Sequence, residues 1–307
     1  MLTQDEFQTL IKLAKKVLWC DRETKRKIQK EGIHIIPARF YSEIPTVEEV
    51  ENSFEYRDAE GVFNSQKIFN KDRISEFLQK IKVYASEFDL PLHGDVDNPT
   101  SFFWKNPAFS FCDAMAYYCI IRHFKPKQIL EVGSGYSTLV AKEAIRRNGS
   151  GSLMLIEPYP KDFLKKIDEV TTIVTDFIQN ISVSKLIEWL NQSDIFFIDS
   201  THTVKTGSDC LYLYLKVIPE IQKQIIIHTH DVQLPFPYPD NKIIEQNITW
   251  TEQYLLYAYM LDNPKVQVLL SSVYLHNFLL KEAKEFMGNK YGTGGGSIWY
   301  ELKPNRH

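Results

Sequence analysis

The sequence has few cysteines and no long apolar run, and these absences exclude several classes of protein. Its 307 residues contain only four cysteines, and these form no CxxC pair: Cys20, Cys112, Cys119 and Cys210. Cysteines this far apart are typical of buried thiols in a reducing compartment, not of a disulfide scaffold or a compact zinc site. No stretch approaches the roughly 18 apolar residues that span a bilayer, and the first residues are not those of a signal peptide. We therefore expect a cytoplasmic protein without a membrane span.

The chain also lacks an excess of basic charge. It has 36 Lys and Arg against 39 Asp and Glu, which gives a formal net charge of -3 and an isoelectric point of about 6.3. A basic patch or stripe is the electrostatic footprint of nucleic-acid binding, and neither half of this chain has one. With 44% hydrophobic and 24% charged residues, the composition is that of an ordinary globular protein. We expect no nucleic-acid partner.

The first 124 residues have a different pattern from the rest. Apolar residues recur at helical spacing over 3–30, and a second helical segment lies near 70–88. The stretches around these segments are rich in turn-forming residues and aromatics. We predict a mainly helical N-terminal cap region over 1–124, and its aromatic content is compatible with a homodimer.

After Pro126 the pattern changes to alternating strands and helices. Strands are predicted at 128–132, 153–156, 172–174, 195–198, 224–227, 266–270 and 297–302, and helices at 137–147, 161–168, 184–190, 206–218 and 251–261. Strands that are apolar throughout are buried on both faces, which favours a parallel sheet flanked by helices. We predict an α/β domain over 125–307 with a doubly wound, mostly parallel seven-stranded sheet and an antiparallel last strand.

A glycine-rich turn joins the first predicted strand to a helix in KPKQILEVGSGYSTLVA. Gly133 and Gly135 let the backbone turn tightly and approach a ligand, and the start of the helix offers unpaired amides. A GxGxxG dinucleotide fingerprint would need a third glycine where this chain has Thr138. Glu157 ends the next strand, where an acid can accept both hydroxyls of a ribose. Asp176 follows the third strand, where an adenine-contacting acid would lie.

Four segments, in this order and spacing, resemble the class I S-adenosylmethionine-dependent methyltransferases: EVGSGYST, IEPYP, FFIDSTHTVKTGSD and IIIHTHDVQLPFPYP. The resemblance covers about 125–302, and within the family it is greatest to bacterial enzymes akin to the macrocin O-methyltransferases and to relatives from surface-polysaccharide gene clusters. It implies S-adenosylmethionine as cofactor and methylation of a hydroxyl on a small-molecule or carbohydrate acceptor. The cofactor-binding residues that it implies are Glu131, Gly133, Ser134, Gly135, Tyr136, Ser137, Glu157 and Asp176.

Asp199 and His202 follow the fourth predicted strand, at the edge of a doubly wound sheet where ligands bind. Methyl transfer to an alcohol requires the hydroxyl to lose its proton as its oxygen attacks, and a histidine of near-neutral pKa suits that task. The macrolide enzymes that this chain resembles carry a DxxH motif with the histidine as base. The resemblance therefore implies catalytic roles for His202 and Asp199.

The fifth predicted strand leads into His228, His230 and Asp231. Residues two apart on a strand share a face, so the two histidines point the same way. The resembling enzymes hold a divalent cation with an acidic pair here and the acid after the fourth strand, whereas this chain has His230 in place of the first acid. The implied metal ligands are Asp199, His230 and Asp231, for Mg, Mn or a softer metal. We expect His228 to be a hydrogen-bonded core residue.

Two alternative functions remain open on the sequence. A glycine turn followed by Glu157 also fits the ribose of a nicotinamide cofactor, so an NAD(P)-dependent oxidoreductase is one alternative. Thr138 and the late pair of strands argue against it. The other alternative is a catalytically silent cofactor-binding partner protein, which the substitution at His230 brings into consideration.

Overall fold

The computed structural model describes residues 2–303, and these contain one seven-stranded sheet. Its strands are β1 (Gln128–Val132), β2 (Ser152–Ile156), β3 (Val170–Val174), β4 (Ile195–Ile198), β5 (Ile225–Thr229), β6 (Val266–Ser271) and β7 (Ile298–Leu302). They are arranged in the order β3-β2-β1-β4-β5-β7-β6. The first five strands pair in parallel, whereas β7 is antiparallel to both β5 and β6. This arrangement confirms the predicted sheet and its antiparallel last strand.

Helices connect the strands and also form most of the regular structure before β1. They are α1 (Gln4–Leu18), α2 (Arg22–Lys30), α3 (Val47–Glu51), α4 (Lys71–Lys82), α5 (Phe111–Phe124), α6 (Tyr136–Asn148), α7 (Val183–Gln192), α8 (Asp209–Tyr212), α9 (Asp240–Ile244), α10 (Glu252–Met260), α11 (Ser272–Phe278) and α12 (Leu280–Phe286). The helix predicted over 161–168 is instead a short 3-10 turn. Between residues 2 and 303, none of the helices has both the length and the apolar character that crossing a membrane requires.

The fifth strand extends further than its sequence indicates. The predicted strand stops at 227, but β5 continues through His228 and Thr229, both of which are fully buried. The Thr229 hydroxyl lies 3.1 Å from the Tyr214 hydroxyl, and His228 Nε2 lies 2.8 Å from Ser297 Oγ. Because each of the two polar side chains has a buried hydrogen-bond partner for at least one of its atoms, the strand tolerates residues that a hydropathy pattern places outside it.

The helices α5 and α6 hold the carboxyl edge of the sheet in place. Ten of the fourteen residues of α5 are buried, including Asp113 in its first turn and Tyr117 one turn later. The following β1 turns through Gly133 and Gly135 directly into α6, whose C-terminal end is closed by Gly149 at φ +72. A left-handed glycine at this position is the usual way to end a helix. The sequence thus brings the start of α6 to the end of β1 within a few residues.

By its internal contacts the chain divides into two compact units. One comprises residues 1–53 with 239–249, and the other comprises 54–238 with 250–307. The predicted boundary between 124 and 125 coincides with neither limit. The buried apolar side chains of α4 and α5 belong to the same hydrophobic core as the strands, which is why 54–124 group with the sheet. In the smaller unit, α1 and α2 have no buried side chain.

Candidate active site

The glycine turn after β1 approaches the end of β4 very closely. Gly133 has φ +79, and a Cβ atom built on it would overlap the backbone carbonyl oxygen of Asp199. A Cβ atom on Gly135 would meet no atom of residues 2–303 within 4 Å. Gly133 is therefore required by the approach of two strand ends, and Gly135 leaves open space at the start of α6 for a ligand.

Glu157 is held against this turn by backbone amides. Its Oε2 accepts a hydrogen bond from Ser134 N at 3.0 Å, and its Oε1 accepts one from Tyr159 N at 2.8 Å. Each carboxylate oxygen retains acceptor capacity for a further donor. The Ser134 hydroxyl is buried and has no hydrogen-bond partner among residues 2–303. The turn thus offers an acceptor and an unsatisfied hydroxyl side by side, as a polar cofactor would require.

The carboxylate of Glu131 is engaged by donors of the protein itself. Its side chain is fully buried, and it accepts hydrogen bonds from Tyr117 Oη at 2.8 Å and Thr138 Oγ1 at 2.6 Å. Burial raises the pKa of Glu131 to about 7. The carboxylate is enclosed by donors of the protein itself, and through Thr138 it holds the first turn of α6.

The other predicted cofactor residues lie around the same strand ends with unequal exposure. Ser137 is buried in the first turn of α6, and the ring of Tyr136 packs against Phe103 and Phe163 at centroid distances of 5.7 and 5.9 Å. Asp176 is exposed beyond β3. Its Oδ1 accepts hydrogen bonds from the amide of Phe177 and the side chain of Asn180, both at 2.7 Å. One carboxylate oxygen of Asp176 is thus already engaged within its own loop.

The three predicted metal ligands meet at the ends of the adjacent strands β4 and β5. His230 Nδ1 lies 3.5 Å from Asp199 Oδ1 and 3.8 Å from Asp231 Oδ2. One ligand atom from each of the three residues lies within 4.8 Å of the others. His230 is buried, whereas the Asp199 and Asp231 side chains are 33% and 32% exposed. Two oxygens and one nitrogen are thus available to a cation from one open side.

His202 stands between the same carboxylates and a third one. Its Nε2 lies 3.3 Å from Asp199 Oδ1 and 3.5 Å from Asp231 Oδ2, and its Nδ1 lies 2.9 Å from Glu252 Oε2. Burial alone would lower the pKa of His202, but Asp199 and Glu252 outweigh it and raise the pKa to about 10. The imidazole is therefore protonated while these carboxylates are its partners. To act as a base it would first have to be neutral.

Glu252 is a residue of this site that the sequence reasoning missed. It is the one acid of α10, whose sequence EQYLLYAYM is otherwise largely apolar and aromatic. The carboxylate is fully buried. Besides His202 it accepts hydrogen bonds from Ser200 Oγ at 3.1 Å and Tyr214 Oη at 3.0 Å. An acid inside an apolar helix was the available signal, because a buried charge needs partners.

Asp113 was missed in the same way. It lies in the apolar helix FCDAMAYYCIIRHF and is buried. Its Oδ1 accepts hydrogen bonds from Ser272 Oγ at 2.6 Å and Ser297 N at 2.9 Å, and its Oδ2 accepts one from Gly296 N at 2.9 Å. The same Oδ2 lies 3.5 Å from His230 Nε2. Burial would raise the pKa of Asp113, but its interactions with His230 and these donors lower it instead.

His228 is a core residue, as expected. It is fully buried, and its ring stacks on Phe197 at a centroid distance of 4.1 Å. Burial holds its pKa well below the usual value, so the ring is neutral. His228 thus supports the sheet and does not belong to the cluster of Asp199, His202, His230 and Asp231.

We predict that Gly133→Ala destabilises the fold strongly. The new Cβ atom would overlap Asp199 at a positive φ, and we expect the free energy of unfolding to fall by about 3 kcal/mol or more. Gly294→Ala is the control, because a Cβ atom at Gly294 meets nothing within 4 Å. Urea denaturation followed by circular dichroism measures both variants. Equal stability of the two would show that the close approach of β1 and β4 is not required.

A second prediction concerns the pH dependence of stability. Because the pKa of Glu131 is raised to about 7 in the folded protein, the folded state binds its proton more tightly than the unfolded state does. This contribution to stability is complete below about pH 4.5 and is lost as the pH rises through 7. The free energy of unfolding of Glu131→Gln, relative to that of the wild type, should therefore rise by about 3 kcal/mol between pH 4.5 and pH 8.

Chemical denaturation at pH 5 and pH 8 measures this difference. Glu188→Gln, on an exposed part of α7, controls for the loss of one negative charge. Parallel pH profiles of Glu131→Gln and the wild type would contradict the prediction.

Residues 130–232 match the family model described as a methyltransferase domain. An uncharacterized protein of Archaeoglobus fulgidus is 34% identical over 136 residues, which cover 42% of this chain and 61% of that protein. The match thus spans less than two thirds of that relative.

Among solved structures, the chain matches the O-methyltransferase TomG of Streptomyces achromogenes, in complex with SAM, at 14% identity and a TM-score of 0.36 over 75% of this chain and 90% of that one. Another is an O-methyltransferase of Bacillus cereus in complex with SAH, at 14% identity and a TM-score of 0.34 over 74% of this chain and 91% of that one. Values this low carry no argument about activity. The family match is the informative finding: residues 130–232 are similar to a methyltransferase domain, the kind of domain that the sequence resemblance implies.

Proposed function

We propose that the protein is an S-adenosylmethionine-dependent O-methyltransferase acting on a hydroxyl of a small molecule or glycoside. The observation that carries this proposal is the meeting of the glycine turn with the cluster of carboxylates and imidazoles. Gly133 lies against the backbone of Asp199, and Asp199 Oδ1 lies within 3.5 Å of both His202 and His230. A cofactor bound over the turn would therefore have its reactive end beside groups suited to handling an acceptor hydroxyl.

The residues around the turn fit S-adenosylmethionine. The unpartnered Ser134 hydroxyl and the open space at Gly135 would receive its methionine part, and Glu157 would accept hydrogen bonds from its ribose. Asp176 would face the adenine end through its free carboxylate oxygen. When bound, the cofactor supplies an electrophilic methyl group. Glu131 would act indirectly, because Tyr117 and Thr138 already occupy its oxygens.

His202 is the proposed base for the acceptor hydroxyl. With Nδ1–H donated to the buried Glu252, the neutral tautomer presents Nε2 toward Asp199 and Asp231 on the open side of the cluster. The ring of Trp250 lies 4.7 Å from the imidazole and would flank the acceptor. Glu252 fixes the orientation of the imidazole, in the way a third group orients the base in other catalytic sites.

A divalent cation would be held by Asp199, His230 and Asp231. These residues fit a cation, because the buried His230 Nδ1 has no hydrogen-bond partner among the described residues and faces the two carboxylates. The ion would supply Lewis acidity that lowers the pKa of the acceptor hydroxyl. Its charge would also compensate the carboxylates that keep His202 protonated, which favours the neutral imidazole.

We predict that the protein binds S-adenosylmethionine and its demethylated product, and that Glu157→Gln weakens this binding about tenfold. The variant loses charge-assisted hydrogen bonds to the ribose. Isothermal titration calorimetry with both ligands and with NAD measures the effect, and Glu188→Gln is the control. Binding of NAD without binding of S-adenosylmethionine would favour the oxidoreductase alternative and overturn the proposal.

We also predict that His202→Gln retains cofactor binding but loses turnover by a factor of about 100 to 10,000, the usual contribution of a positioned general base. The assay measures formation of the demethylated cofactor over a panel of hydroxylated small molecules and glycosides, with and without divalent cations. His93→Gln, on the exposed surface, is the matched control. Full activity of His202→Gln would show that another group takes the proton.

A further inference from the structure

His230 offers a buried ring nitrogen where Asp199 and Asp231 offer carboxylate oxygens, and this difference affects which ion can bind there. Its side chain is almost completely buried, and its Nδ1 has no hydrogen-bond partner among residues 2–303. That nitrogen faces Asp199 Oδ1 at 3.5 Å and Asp231 Oδ2 at 3.8 Å. A buried nitrogen left without a partner is costly unless something else binds it.

The opposite nitrogen of the same ring faces a carboxylate that cannot easily move. Asp113 Oδ2 lies 3.5 Å from His230 Nε2, and three donors from Ser272, Gly296 and Ser297 fix the carboxylate. A Cβ atom on Gly295 would overlap Asp113 Oδ1, so the backbone there is packed directly against it. When a cation takes the place of the Nδ1 proton, an Nε2–H directed at Asp113 keeps the other proton, and the lone pair on Nδ1 faces Asp199 and Asp231.

A histidine that binds a metal almost always donates its other ring N–H to a carboxylate, a carbonyl or a water. Mg²⁺ prefers oxygen ligands in near-ideal octahedral geometry, whereas imidazole nitrogen suits transition-metal ions. We infer that the centre formed by Asp199, His230 and Asp231 takes a transition-metal dication such as Mn²⁺ or Co²⁺ in preference to Mg²⁺. Asp113 is the positioning residue that directs His230 Nδ1 at the ion.

This inference rests on the cation of the proposed function and specifies its chemical class. Asp113 lies outside residues 130–232, the segment that matches the methyltransferase domain. The preference of the centre for one metal over another would therefore depend on α5, which carries Asp113, and on the turn before β7, which supplies donors to it. The Asp113 carboxylate is buried among these protein donors and His230, so its effect on turnover would be exerted through His230.

The first experiment compares metals on the full chain after removal of bound ions with a chelator. Calorimetric titrations with Mn²⁺, Co²⁺ and Mg²⁺, each without cofactor, should show Mn²⁺ and Co²⁺ binding at least about tenfold more tightly than Mg²⁺. His230→Asp replaces the nitrogen with oxygen and should bring the Mn²⁺ and Mg²⁺ affinities to within about threefold of each other. His93→Asp is the matched control and should leave both affinities unchanged.

The inference is overturned if Mg²⁺ binds as tightly as Mn²⁺ to the wild type, or if His230→Asp retains the wild-type ratio. Because these titrations contain no cofactor or acceptor, a failure to bind S-adenosylmethionine would refute the proposed function and leave this result intact. Conversely, a preference for Mg²⁺ would refute the inference and leave cofactor binding intact.

A second experiment tests Asp113. Asp113→Asn should weaken Mn²⁺ binding about tenfold, within the usual range for an outer-shell partner, and should change the visible absorption spectrum of the Co²⁺-loaded protein. Asp97→Asn, which makes the same change at an exposed acid outside the site, is the matched control and should leave the Mn²⁺ affinity and the Co²⁺ spectrum unchanged. An Asp113→Asn variant that loses thermal stability but keeps its Mn²⁺ affinity and Co²⁺ spectrum would overturn the positioning role. If that variant does not fold, the wild-type and His230→Asp titrations still decide the metal class.

Discussion

Charge compensation among groups at the carboxyl edge of the sheet is the constraint on which the rest of the site depends. Each imidazole lies within 4 Å of three carboxylates: His202 contacts Asp199, Asp231 and Glu252, and His230 contacts Asp113, Asp199 and Asp231. A buried charge without a partner costs several kcal/mol, so each group is tolerated only with the others in place. The charges of these groups therefore require α5, α10 and the ends of β4 and β5 to lie against one another.

The strand order determines which chemical groups become neighbours. β1, β4 and β5 are adjacent in the sheet, so the glycine turn, Asp199 and the pair of His230 and Asp231 follow three consecutive strands. The left-handed Gly133 lets the first of these ends approach the second without a side chain between them. The residues proposed to hold the cofactor, to remove the proton and to bind a cation thereby share one sheet edge, the usual place for ligands in this kind of fold. Helices α5 and α10 then supply the buried acids that orient the two histidines.

Much of the architecture and the exposed part of the site could be predicted from the sequence. Apolar runs located β1 and β4 to the residue, and the late strand pair predicted an antiparallel β7. The carboxyl ends of parallel strands share one edge, so residues that follow β2, β4 and β5 could be placed together without knowing any long-range contact. That reasoning was enough to place Glu157, Asp199 and His202 at the ends of their strands, and their roles stay predictions. It did not separate a residue that faces a ligand from one enclosed by protein donors, as Glu131 is.

What the sequence by itself determined was therefore local: the periodicity of strands and helices, the glycine turn, and the identity of the polar residues just beyond each strand. Only the tertiary structure decided which hydrogen-bond and ion-pair partners these residues have, and therefore whether each is charged. Glu252 and His202 are 50 positions apart, and Asp113 and Ser297 are 184 apart. The tertiary structure also decided that residues 54–124 share the hydrophobic core of the sheet, although their sequence pattern differs from that of the strands. The physical reason is that the charge state of a buried group depends on which donors and acceptors the folded chain brings to it, and a pattern of neighbouring residues does not contain that information.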